Sequence, residues 1–240
     1  MSVADPVPVP SISFDRIQER LNRLLVPSER GTHILVAGMT GSGKTALIKH
    51  GLLPLFAWER TLVLDFKEGA NSDWNGFGRD VTQLPPEFSA GPPYRWRMTM
   101  DQADPKPQLE RALDQIRDEG HCVVVIDEAS SATDREGGGV PARVGRILEK
   151  GRGQKVTMIL GVQQPAYTIA AVKSQTAVKF IGPVGDDEST KRCAKWAGNA
   201  RTVEPVLASL PLRRFLYKDQ LEGTPLTALT ELPDGAVVTE

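Results

Sequence analysis

The chain has 240 residues, 40% hydrophobic and 25% charged, enough apolar matter for one large domain with a sizeable core. A net charge of −1 excludes a surface coated in basic residues, so any nucleic-acid contact must be local, for example in a channel shared between subunits. Two cysteines, Cys122 and Cys193, at no metal-type spacing argue against a disulfide scaffold and for a reduced, cytoplasmic setting; no apolar run approaches the ~18 residues of a membrane span.

Residues 1–11 are rich in Pro and Val and lack a basic n-region, so they read as an extended arm, not a signal peptide. Such an arm packs on a neighbour or stays disordered. Phe14, Ile17, Leu21 and Leu24-Leu25 follow helical spacing, ended by Val26-Pro27. An apolar, β-branched strand over 33–37 leads into Gly38-Met39-Thr40-Gly41-Ser42-Gly43-Lys44-Thr45, and a helix starts behind it and closes near 51–54. A second apolar strand covers 61–66. Residues 67–93 are mostly loop, with a short strand over 81–84, and 94–98 form another strand.

Leu109, Ala112, Leu113 and Ile116 mark an amphipathic helix, capped before Pro105 or Pro107 and stopped by Gly120. Cys122 to Ile126, running into Asp127-Glu128, is the clearest buried strand, with Cys122 inside it. A polar loop over 130–139 precedes a helix through Val140, Val144, Ile147 and Leu148 that stops at Gly151. A strand over 156–162 runs into Gln163-Gln164-Pro165 and a short helix. Then come a strand over 177–181, a helix over 187–197 with an acidic cap and Gly198 as stop, one or two helical turns over 205–210, a strand over 213–218 and a weaker one over 225–230. Strands alternating with helices imply an α/β fold: a mostly parallel central sheet with helices on both faces. Ligands then bind beyond the carboxyl ends of the strands.

The loop over 38–45 fits G-x-x-x-x-G-K-[ST] in its required strand-before, helix-after context. Its glycines let backbone N–H groups curl around phosphates, and the helix N-terminus adds partial positive charge. Gly38, Thr40, Gly41, Ser42, Gly43, Lys44 and Thr45 are the candidate nucleotide-binding residues; Lys44 reaches the outer phosphates and the Thr45 hydroxyl can ligate Mg²⁺. Asp127-Glu128 end a buried strand, as the paired carboxylates of such ATPases do: Asp127 would hold Mg²⁺, directly or through a water, and Glu128 would polarise the attacking water.

Gln163 at the next strand end is either a hydrogen-bonding reporter of the γ-phosphate or a loop amide before a Pro turn. Arg152, between two glycines, is either a finger reaching a neighbour's γ-phosphate or a helix C-cap cation, with Arg143 and Arg146 as rivals. Lys67 either contacts a phosphate or a neighbour, or is a solvated lysine. The loops over 68–79 and 133–139 are candidate polymer contacts: Lys67, Asn71, Asn75 and Arg79 for phosphates, Trp74 or Phe77 as a groove wedge.

Together these pieces resemble the FtsK/HerA superfamily of DNA-translocating ATPases over about residues 30–220. The matching residues are the loop over 38–45, Leu64-Asp65-Phe66-Lys67, Val125-Ile126-Asp127-Glu128, Gly151-Arg152 to Gln163-Gln164-Pro165, and the closing strand over 210–218. Val162 and Gln164 depart from that pattern, where the superfamily has Thr and Arg. The bare motor core is similar to the stand-alone genome-packaging ATPases of tectivirus-like viruses.

The resemblance implies a RecA-like motor domain over 31–220, with an arm and helix over 1–30 and an extension over 221–240. It implies ATP and Mg²⁺, catalysis by Lys44, Glu128, Gln163 and a neighbour's Arg152, and a homo-oligomeric ring, a hexamer, moving double-stranded DNA. Capsid, portal or membrane proteins at a viral vertex are implied partners, in the host cytoplasm or on the virion. Conjugative or chromosomal DNA transfer is the alternative within the class. An ATP-dependent assembly switch that binds no DNA is the alternative outside it.

Overall fold

Runs such as His33–Ala37 and Cys122–Ile126 are buried along their whole length, which only a sheet covered on both faces permits. The computed structural model describes residues 9–25, 30–67, 72–88, 94–101, 103–129, 142–167, 170–198, 200–221 and 226–233. Its strands are β1 (His33–Ala37), β2 (Arg60–Asp65), β3 (Arg79–Val81), β4 (Arg95–Thr99), β5 (Cys122–Ile126), β6 (Val156–Val162), β7 (Thr176–Ile181), β8 (Arg214–Asp219) and β9 (Thr227–Glu231). They form one sheet in the order β3-β4-β2-β5-β6-β1-β7-β8-β9. Pairing is parallel from β3 through β7, and β8 and β9 are added antiparallel.

Alternate residues of each strand feed two cores. Ile34, Val36, Val123 and Val125 meet α1 (Phe14–Leu25) and the helix behind the phosphate loop. Leu35, Val124, Ile126 and Leu160 meet α3 (Lys106–Glu119), α4 (Ala142–Lys150), α6 (Asp187–Ala197) and α7 (Ala200–Ala208). A short α5 (Ala170–Gln175) leads into β7. Cys122 and Cys193 are buried and free, and burial pushes the Cys122 thiol up to about 12. No helix among the described residues is long and apolar enough to cross a membrane.

Several expectations shift in detail. The helix behind the loop is α-helical only over α2 (Lys44–Ala46), then π-helical over Leu47–Leu52 and 3-10 over Leu53–Phe56. The strand expected over 81–84 lies at Arg79–Val81. The turns expected over 205–210 are the end of α7, in which Pro205 sits inside the helix; burial of Val203 and Leu207, one turn apart, overrides the proline's preference for a helix start. The end of the arm pairs with its own chain: Ile12 N–H donates to the Leu229 carbonyl at 2.9 Å and Leu229 N–H to that of Pro10 at 2.8 Å. Residues 1–8 of the arm, Val26-Pro27 and the loop over 133–139 lie outside the described residues.

The antiparallel strands are tied to α1 through charge. Arg20 grips the fully buried Asp219 with two hydrogen bonds, 2.6 and 3.0 Å, and the Tyr217 hydroxyl donates to the same carboxylate at 2.7 Å. Burial opposes the charge on Asp219, yet these donors hold its pKa below the usual carboxylate value.

Lys179 on β7 has no such compensation. It is 2% exposed, donates to the Thr176 carbonyl, and has Lys218 and Lys173 as charged neighbours. Burial, helped by those two charges, lowers its pKa from 10.5 to about 8. The folded state thus binds this proton less tightly than the unfolded chain. Its penalty is complete below pH 8 and fades as pH rises from about 8 to 10.5. Lys179→Met should therefore raise stability below pH 8 by roughly 1–3 kcal/mol and remove this rise, as read by urea unfolding across pH 7–11.

Candidate active site

The carboxyl end of β1 turns into the phosphate loop, and both neighbouring strands hold that turn. Gly38 N–H donates to the Val162 carbonyl at 3.0 Å, and Met39 N–H to that of Pro183 at 2.7 Å. Gly43, at φ +93°, occupies a left-handed conformation that L side chains rarely adopt, and a Cβ there would come 2.8 Å from Leu232 Cδ1. Lys44 is buried and its ammonium donates to the Met39 carbonyl at 3.0 Å.

The carboxylates reach this loop by crossing a strand. β6 lies between β5 and β1. Beyond Ile126 the chain leaves β5 and passes over Gly161 of β6, where Ala129 N–H donates to the Gly161 carbonyl at 2.9 Å. A Cβ at Gly161 would lie 2.0 Å from the Asp127 carbonyl oxygen, so only glycine allows this crossing. It brings Asp127 Oδ2 to 2.7 Å from the Thr45 hydroxyl. Glu128 Oε1 accepts from Gln163 Nε2 at 2.6 Å, and Gln163 Oε1 accepts from the Thr40 hydroxyl at 3.2 Å. Thr40, Lys44, Thr45, Asp127, Glu128 and Gln163 thus converge on one edge.

Arg152 does not join them within the chain. It sits on the Gly151–Gln154 turn ahead of β6, at the amino-terminal edge of the sheet. There its carbonyl accepts from Gly31 N–H at 3.0 Å, and its Nε donates to the Gly31 carbonyl at 3.2 Å. Of its rivals, Arg143 is paired with Asp114 and Glu110 of α3, and Arg146 lies exposed on α4.

Two residues join the site from an unexpected direction. Trp74 is no exposed groove wedge: it is fully buried, and its indole N–H donates to Asp127 Oδ2 at 3.1 Å. Phe77 is half-buried and meets the Trp74 ring edge-on at 5.3 Å. Lys67 pairs with Asp73 at 2.6 Å and acts electrostatically on Lys44, Asp127 and Glu128. Asn71 lies outside the described residues. An aromatic in an otherwise polar, Gly-rich loop was the one signal of Trp74's place.

No protein-family model and no curated protein matches the sequence. Solved structures do match it. The genome-packaging NTPase B204 of Sulfolobus turreted icosahedral virus 2, in complex with AMPPCP, superposes with a TM-score of 0.67 at 18% identity, covering 85% of this chain and 99% of that one. The pCW3 conjugation coupling protein TcpA, with ATPγS, gives 0.54 at 19% identity over 89% of this chain and 62% of its own. The Type VII secretion ATPase EccC of Thermomonospora curvata gives 0.55 at 18% identity over 88% of this chain and 26% of its own. The fold is that of a P-loop ATPase.

Within this P-loop ATPase fold the donor set suits a hard divalent cation. Asp127 Oδ1 is buried without a partner among the described residues, on the carboxylate that the Thr45 hydroxyl already contacts. Burial pushes the Asp127 pKa up against the pull of Thr45, Trp74, Lys44 and Lys67. Burial likewise pushes Lys44 down, against the pull of Asp127 and Glu128. Both shifts favour the neutral forms, the state of a buried site whose charges are not fully matched by the protein alone.

The strand crossing carries this arrangement. Gly161→Ala is expected to destabilise the protein by more than about 2 kcal/mol and to weaken nucleotide binding with it. Gly153→Ala, into open space, should stay within about 0.5 kcal/mol; thermal unfolding and nucleotide titration of the two variants check this.

Proposed function

We propose that this protein is an ATPase that moves double-stranded DNA as a homo-oligomeric ring, and that its task is to package a viral genome. The observation that carries the reading is the convergence of Lys44, Thr45, Asp127, Glu128 and Gln163 on one sheet edge. The likeness to the B204 packaging NTPase over nearly its whole length supports the specific task. In this reading Gly38, Thr40, Gly41, Ser42 and Gly43 wrap the phosphates and Lys44 neutralises them. Thr45 and Asp127 would hold Mg²⁺, which would screen charge on the phosphates. Glu128 takes the proton of the attacking water, held in place by Gln163.

The remaining charge comes from Arg152 of an adjoining copy. Within one chain Arg152 and the phosphate loop lie on opposite edges of the sheet. A finger role therefore requires the amino edge of one copy to face the carboxyl edge of the next. That contact is head-to-tail, and closing it makes a ring, here a hexamer. Capsid, portal or membrane proteins would dock such a ring in the host cytoplasm or on the virion. Transfer of DNA between cells is the other role within the class, favoured by the likeness to TcpA. The net charge of −1 favours a different reading, an assembly switch that binds protein instead of DNA.

Turnover of ATP should rise with added double-stranded DNA of any sequence, and that stimulation should fall roughly tenfold or more between ~50 and ~200 mM salt. Equal turnover with and without DNA would favour the switch. Arg152→Ala and Lys44→Ala should each lose about a thousandfold or more in turnover, the former with ATP binding retained. Mixing the two inactive variants should restore activity, because each supplies the half that the other lacks. An inert mixture would return Arg152 to a local capping role.

A further inference from the structure

The side of the site away from Gln163 is built by the end of β2 and the turn beyond it. Asp65 ends β2 as a buried carboxylate and organises the segment beyond the strand. Its Oδ1 accepts from Lys67 N–H at 3.0 Å; its Oδ2 accepts from Arg97 Nε at 2.8 Å and from the Ser72 hydroxyl. Ser72 Oγ in turn accepts from Trp74 N–H at 3.0 Å. One buried anion thus sets both the backbone of Lys67 and the turn that carries Asp73 and Trp74.

That turn is clamped between the two halves of the nucleotide site. Lys49, on the helix behind the phosphate loop, donates to the Asp73 carbonyl and lies 5.6 Å from the centre of the Trp74 ring. Trp74 itself is bonded to Asp127. Between these anchors Lys67 and Asp73 form a pair whose side chains are 33% and 32% exposed, so solvent and incoming ligands reach both. Burial opposes the Lys67 charge, but Asp73, with Asp127 and Glu128 behind it, holds its pKa above the ordinary value. Lys67 in turn works against the charge on Lys44. The two ammonium groups thus lie within electrostatic range of each other, with Asp127 and Glu128 acting on both.

We propose that Lys67 is a second phosphate-binding lysine, which exchanges the Asp73 carboxylate for the terminal phosphate of a bound nucleoside triphosphate. This rests on the reading of the site as a triphosphate site. A lysine–carboxylate pair exposed by a third is weak, and a terminal phosphate offers more charge and three acceptor oxygens. A diphosphate ends one group short and leaves the Lys67–Asp73 pair in place. Because Asp73 adjoins Trp74, the exchange reports the terminal phosphate to the same turn that holds Asp127.

The test is equilibrium binding of ADP and of an uncleavable ATP analogue, each with Mg²⁺. Lys67→Met should weaken the ATP analogue roughly tenfold while ADP changes less than about twofold, and Lys67→Arg should recover most of the loss. Asp73→Asn removes the competing carboxylate and should tighten the ATP analogue several-fold relative to ADP. Equal effects on both nucleotides, or none, in Lys67→Met and Asp73→Asn would overturn the assignment while leaving the site itself intact. A wild-type protein that binds neither nucleotide would overturn the triphosphate reading and this inference with it.

Discussion

Thr45 and Asp127 touch at 2.7 Å although their strands are not neighbours. A whole strand, β6, stands between them, and the chain beyond β5 crosses it where Gly161 leaves no side chain in the way. That crossing sets the rest of the site. It places Glu128 over the end of β6, where Gln163 emerges and can hold it. A site built on adjacent strands would have no residue in Gln163's position.

Charge is governed by the same geometry. Asp127 is buried with Thr45 and Trp74 as donors and with one oxygen lacking a partner among the described residues, beside a buried Lys44. In water these groups would be ionised at little cost; here burial moves both toward neutrality. In the proposed reading, bound phosphates and a divalent cation would supply the missing counter-charges. Arg152 stands at the other end of the same parallel strands, set there by the turn that begins β6. A parallel sheet has two chemically different edges, and this one divides the proposed machinery between them.

The central strands were legible because burial on both faces demands uninterrupted apolar runs, as in Val123-Val124-Val125-Ile126. The caps of α3 and α6 were legible because proline, Asp186 and glycine act on the backbone next to them. Trp74 was not. Its bond to Asp127 joins residues 53 apart, and an indole in a Gly-rich loop reads equally as an exposed wedge. Nor does the sequence mark Lys179 as buried: strand periodicity says which face a residue takes, and only the packing around β7 decides that this lysine is covered.

Local chemistry, then, determined which segments are strands and helices, that a phosphate loop lies between β1 and α2, and that two carboxylates end β5. These are properties of residues adjacent in the chain, where glycine conformations, caps and apolar runs act over a few bonds. The tertiary structure alone decided which strand separates the loop from the carboxylates, that Gly161 must be glycine, that Trp74 bonds Asp127 and Lys67 pairs with Asp73 beside it, and that Arg152 lies on the far edge. Each of those depends on strand order and on contacts between distant segments, and strand order leaves no periodic mark on the sequence.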